Sequence, residues 1–221
     1  MRERPILFNG AMVRAILAGK KTQTRRVIKC IPWRPGCNPD FSQARAFCNA
    51  GEFRIAGSQE MTTGFRFPLG QLGDRLWVRE TTVNVEKHGY LGPVHLESEE
   101  GYATLQGGLA PAPDDMTEVE PHEITLRPSI HMPRSMCRLF LEITDVRVER
   151  LQAISEADAV SEGATADVLQ NIRLRRPHPR AAKPMFYEDS REIFADLWDS
   201  TGGDWNSNPW VWAITFKRID A

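Results

Sequence analysis

Residues 19 to 26 read "GKKTQTRR", with two lysines, two threonines and two arginines in eight positions. Threonine is a poor nucleophile until a neighbour takes or stabilises its proton. Lys21 stands three residues before Thr24, close enough to reach that hydroxyl across a turn. A lysine serves as a base only where desolvation or nearby cations lower its pKa, and Lys20, Arg25 and Arg26 are candidates for those cations. A carboxylate from elsewhere must then orient the group or carry the proton. The same spacing also fits cations on an exposed helix end, where they favour the helix dipole.

Three further groups of residues have types suited to binding. Trp77, Arg79 and Glu80 put an aromatic ring beside a guanidinium and a carboxylate, a set that can stack on and hydrogen-bond to a planar base. Trp77 fits the core equally well. "PSIHMPR" places His131 and Arg134 in a proline-bounded loop, with His131 a base, a ligand or a packed polar residue. "NIRLRRPHPRAAK" (171–183) contains Arg175 and Arg176, and all its charges are positive. Net charge is −1, yet His88 to Leu126 holds no lysine or arginine. A near-neutral total can therefore hide a basic face suited to a polyanion. Solvated loops are the alternative. Cys30, Cys37, Cys48 and Cys137 form no CxxC pair, so reduced thiols are expected, with no metal site and no cofactor.

These groups need a frame. With 41% hydrophobic and 26% charged residues, the composition is that of a globular protein, and no apolar run approaches the roughly 20 residues that span a bilayer. "MRERPILFNG" lacks the apolar core of a signal peptide, so a cytoplasmic protein is expected. Met12, Val13, Ile16 and Leu17 predict a helix over 10–18 that Gly19 ends in a left-handed conformation. "TQTRRVI" predicts a strand over 22–28 with Thr24, Arg26 and Ile28 on one face. "LGDRLWVRETTV" predicts a second strand, with Leu76 and Val78 opposite Trp77, Arg79 and Thr81. "CRLFLEITDVRVERL" alternates strongly and places Leu139, Leu141 and Ile143 on one face of a third. "ISEADAVSEG" predicts a short helix capped by Ser155 and ended by Gly163. "SREIFADLWDS" predicts an amphipathic helix, and "NPWVWAITFKRI" a final strand. Segments 29–69, 84–127 and 164–190 read as insertions in a single domain over 1–221. The order predicts an α+β fold with a small mixed sheet or barrel.

"GKKTQTRR" resembles the G-x-K-x-x-[E/T]-x-R signature of ASCH domains, a branch of the PUA-like superfamily, through Gly19, Lys21, Thr24 and Arg26. "LGDRLWVRE", "ITLRPSIHMPR" and "NPWVWAITFKRI" extend the resemblance to longer, phage-related members. The resemblance implies a PUA-like β-barrel with flanking short helices. Many relatives carry glutamate where Thr24 stands; threonine there is similar to the amidohydrolase branch that deacetylates N4-acetylcytidine. That likeness implies a catalytic set of Lys21, Thr24 and a distal glutamate, placed at Glu162 by the "ISEADAVSEG" segment. Arg26, or backbone N–H groups near the turn, are candidate oxyanion donors. Three readings follow: an N4-acylcytidine amidohydrolase, a non-catalytic module binding RNA or a modified nucleoside, and a ribonuclease.

Overall fold

The computed structural model describes residues 1–28, 44–47, 52–55, 65–110, 118–165, 168, 187 and 189–219. Its principal sheet has five strands in the order β1-β6-β10-β11-β2. These are β1 (Glu3–Leu7), β6 (Arg75–Arg79), β10 (Phe140–Arg150), β11 (Trp210–Ile219) and β2 (Gln23–Val27). β1 and β6 run parallel, and the other pairs are antiparallel. Helix α1 (Gly10–Leu17) buries Met12, Val13 and Ile16 against Leu76, Val78, Leu141, Ile143 and Ile214 of the sheet. The predicted alternation in the third strand holds as far as Ile143. A bulge between Ile143 and Asp145 then shifts the register, so the next buried side chain is Val146.

The sheet is mixed α+β, as expected, but it is not the closed barrel that the resemblance implies. β1 and β2 are its two edges and no ladder joins them. The physical reason lies in the chain path. β1 passes through Phe8 and Asn9 directly into α1, and the Asn9 side chain caps that helix by accepting from Met12 N at 2.9 Å. The gap between the edges is crossed by a side chain instead, where Arg26 Nη2 donates to the Leu7 carbonyl at 2.7 Å.

The segment 29–69 contains an antiparallel sheet of β3 (Ala44–Phe47), β4 (Glu52–Ile55) and β5 (Phe65–Arg66). The acidic segment forms most of a third sheet, in which β7 (Thr82–Val83) pairs with β8 (Val94–His95) and β9 (Leu126–Arg127). Val83, Val85 and Val94 give this sheet a small core of its own. Helix α2 (Glu99–Gly107) is capped by Ser98 and ties the unit back through Arg14, which bonds both Glu97 and Tyr102. Among the described residues no helix is long and apolar enough to cross a membrane.

Candidate functional site

The "GKKTQTRR" segment is folded back beneath α1. Gly19 takes φ 70°, the left-handed turn expected of it, and the backbone N–H groups of Lys20 and Lys21 both donate to the Ala15 carbonyl. Thr22 N then donates to the Ser161 carbonyl at 2.8 Å, which fixes the segment beside the end of helix α3 (Glu156–Ser161). Glu162 is the next residue, and Gly163 follows with φ 78°. A Cβ on Gly163 would stand 3.3 Å from the Cβ atoms of both Ala15 and Lys21. Gly163→Ala is therefore expected to cost about 1–2 kcal/mol for the left-handed backbone alone, and to push on Lys21 as well. Thermal denaturation checks the cost; an unchanged midpoint contradicts this geometry.

Lys21, Thr24 and Glu162 are 3%, 4% and 3% exposed. Lys21 Nζ donates to Glu162 Oε2 at 2.6 Å and to the Glu162 carbonyl at 2.8 Å. Burial pushes the Lys21 pKa down; the Glu162 charge opposes this, while Arg26 and Arg25 add to it. No hydrogen bond engages the Thr24 hydroxyl among the described residues. Lys21 is thus committed to Glu162 and not to Thr24 in this arrangement.

Arg25 is closed on all sides. Its Nε and Nη2 donate to Glu149 Oε1, Nη1 donates to Gln23 Oε1 and Glu162 Oε1, and Nη2 reaches Asp158 Oδ2. Glu162 therefore holds Lys21 with one oxygen and Arg25 with the other. Burial alone would raise the Asp158 carboxyl, but Arg147, Gln23 and Arg25 outweigh it and hold the group below its ordinary value. Arg26 lies over Phe8, 5.3 Å from the ring centroid, and burial lowers its pKa against the pull of Glu162.

Lys21, Thr24, Arg25, Arg26 and Glu162 line one cavity of about 1030 Å³, set in the gap between the sheet edges. Phe8, Asn9 and the first residues of α1 form another wall. Phe194, Leu197 and Trp198 of helix α4 (Ser190–Ser200) form the opposite one, with the turn Thr201–Gly203 beyond them. Leu7, Val27 and Ile130 also line it, and these apolar residues are exposed. The cavity thus combines aromatic faces, buried cations and one carboxylate, and its size suits a ligand larger than a single base.

The other expected binding residues stand apart. Trp77 and Arg79 share the outer face of β6, the Arg79 guanidinium lying 5.4 Å from the Trp77 ring centroid. Arg79 still serves the pocket indirectly, since it donates to the carbonyl of Ile130 in the pocket wall. Glu80 is buried in a bidentate pair with Arg138, at 3.0 and 2.9 Å. His131 is exposed in a short 3-10 turn, next to the lining residue Ile130. Arg134 pairs with Glu3 at 2.7 Å and covers the Phe140 ring. Arg175 and Arg176 lie outside the described residues. Phe8, Asn9, Phe194 and Trp198 are lining residues that sequence reasoning missed as such. Asn9, directly before an apolar helix, carried a readable N-cap signal.

No family model matches this chain, and no curated protein does. One solved structure similar to it is an ASCH domain from Lactobacillus crispatus JV V101. That match covers 100% of this chain and 81% of the other, at 13% sequence identity and a TM-score of 0.37.

Proposed function

We propose that this chain is an ASCH-type domain that takes a modified nucleoside into the cavity and hydrolyses an N4-acylated cytidine. The observation that carries the reading is the meeting of Lys21, Thr24 and Glu162 in one cavity, where Lys21 and Glu162 already share a hydrogen bond. Aromatic walls at Phe8, Phe194 and Trp198 suit a planar base.

The chemistry follows from the burial. A buried ammonium–carboxylate pair is costly, and passing the proton from Lys21 to Glu162 leaves two neutral groups. The free Lys21 amine then accepts the Thr24 proton as Thr24 Oγ1 bonds to the amide carbon. Arg26 stabilises the oxyanion. The carbon–N4 bond breaks, and the amine leaves with the proton held by Glu162. Water hydrolyses the threonine ester and returns the site to its starting state. For Lys21 to meet Thr24, its ammonium must release the Glu162 carbonyl and turn within the cavity.

The pH dependence has a definite sign. The reaction needs one proton shared between Lys21 and Glu162, so kcat/KM should fall as pH rises through the Lys21 pKa, at a midpoint below the ordinary lysine value of 10.5, where Glu162 loses the proton it gives to the leaving amine. Stability should run in the other direction. Between the lowered folded pKa of Lys21 and its unfolded value, the unfolded chain binds more protons, so stability rises with pH across that window. Turnover profiles and denaturation of wild type and Lys21→Met check both. A flat wild-type turnover profile removes Lys21 as the base.

A second reading is a non-catalytic pocket for RNA or a modified base. It is favoured by the closure of Lys21 and Arg25 onto Glu162, which leaves Thr24 without a base beside it. Affinity for an RNA oligonucleotide that falls steeply with salt, without turnover of N4-acetylcytidine, would select it.

A further inference from the structure

The cavity lining holds two electrically opposite groups of residues. In one, the first turn of α1, Lys21 and Arg26 supply N–H groups and positive charge. In the other, Ser200, Thr201, Gly202 and Gly203 line the wall where α4 ends. That end carries the negative pole of an 11-residue helix, and no basic residue lies in its last turn.

The acceptors there are unequally used. Backbone N–H groups of Thr201 and Gly203 donate to the Trp198 carbonyl, and that of Gly202 to the Asp199 carbonyl. No hydrogen bond from any described residue reaches the carbonyls of Ser200, Thr201 or Gly202. The turn also lies hard against the Trp198 indole, since a Cβ on Gly203 would fall 2.3 Å from Nε1. That indole N–H is buried without a partner. Among the described residues the rim therefore offers three open acceptors, one orphan donor beneath them, and no cation.

We propose that the Ser200–Gly203 turn, with Trp198 beneath it, is a second subsite that takes the hydroxyl-bearing end of the ligand, the sugar of an unphosphorylated nucleoside. This rests on the nucleoside reading and deepens it. Sugar hydroxyls donate to open carbonyls, whereas a phosphate offers acceptors and negative charge to the negative pole of a helix. The subsite orients the ligand so that its electron-rich amide carbonyl faces Lys21 and Arg26.

The test compares binding of N4-acetylcytidine, its 5′-monophosphate and the sugar-free base N4-acetylcytosine by calorimetry, every protein carrying Thr24→Ala so that no ligand is consumed. With the rim of the wild type, this protein should prefer the nucleoside to the nucleotide by about fivefold or more, and should bind the free base more weakly. Thr201→Lys places a cation at the exposed rim and should close or invert the nucleotide gap. Leu91→Lys, which adds the same charge on a fully exposed residue outside the cavity, should leave the ratio unchanged. Equal affinity for nucleoside and nucleotide with the wild-type rim, or a ratio untouched by Thr201→Lys, overturns the subsite and leaves the nucleoside pocket standing. Failure of all three compounds to bind removes the nucleoside reading, and the subsite with it.

Discussion

Arg25→Ala is expected to destabilise the protein by about 3–5 kcal/mol, the range for removing one partner of a buried ion pair. The Arg25 side chain is fully buried and its five N–H directions are divided among Glu149, Gln23, Glu162 and Asp158. Removing it takes a buried partner from three carboxylates at once, leaving Glu162 to Lys21 alone and Glu149 on β10 and Asp158 on α3 to the half-exposed Arg147. The guanidinium is thus a structural centre that joins β2 to β10 and to α3, although it also lines the cavity. Denaturant titration measures the loss, and Arg25→Lys should recover only part of it because an ammonium cannot serve that fork of partners. A loss under about 1 kcal/mol, the level of an exposed pair, would contradict the arrangement.

Lys21→Ala and Glu162→Gln should each lower turnover of N4-acetylcytidine by about 10²–10⁴, the usual contribution of a positioned acid or base. KM should move far less, because the aromatic walls at Phe8, Phe194 and Trp198 remain in place. The two losses should not add in the double variant, since one proton passes between the two groups at 2.6 Å. Glu162→Gln also removes charge from Arg25, so its turnover is compared at a temperature where circular dichroism shows it folded. Additive losses, or a change confined to KM, would reduce the pair to a structural role.

Local features of the fold were legible in the sequence. The helix over Gly10–Leu17, its left-handed end at Gly19 and the Ser155 cap all depend on neighbours within a few residues. Alternation predicted the faces of β6 correctly, with Leu76 and Val78 buried and Trp77 and Arg79 on the other side. It could not show the bulge at Ile143, because an unpaired residue leaves no mark in a string of side chains. The open sheet was equally hidden, since whether two edges meet depends on where α1 is docked. The acidic segment read as an excursion because its core consists of only a few short valine contacts.

The site divides in the same way. Lys21 and Thr24 sit in one short motif, and Glu162 could be reached only through the resemblance. Arg25 was legible as a cation but not as a closed one, since Glu149 and Asp158 lie more than a hundred positions along the chain. Glu80 was read as a base-binding carboxylate, whereas the structure buries it against Arg138, 58 residues away. Charges with such distant partners look free in a sequence.

The most direct test is release of cytidine from N4-acetylcytidine by purified wild-type protein and by Thr24→Ala. The account predicts steady release by wild type and at least a thousandfold less by Thr24→Ala, on the order of the loss expected when a nucleophile is removed. No release by wild type at micromolar enzyme, or equal release by both proteins, would contradict it.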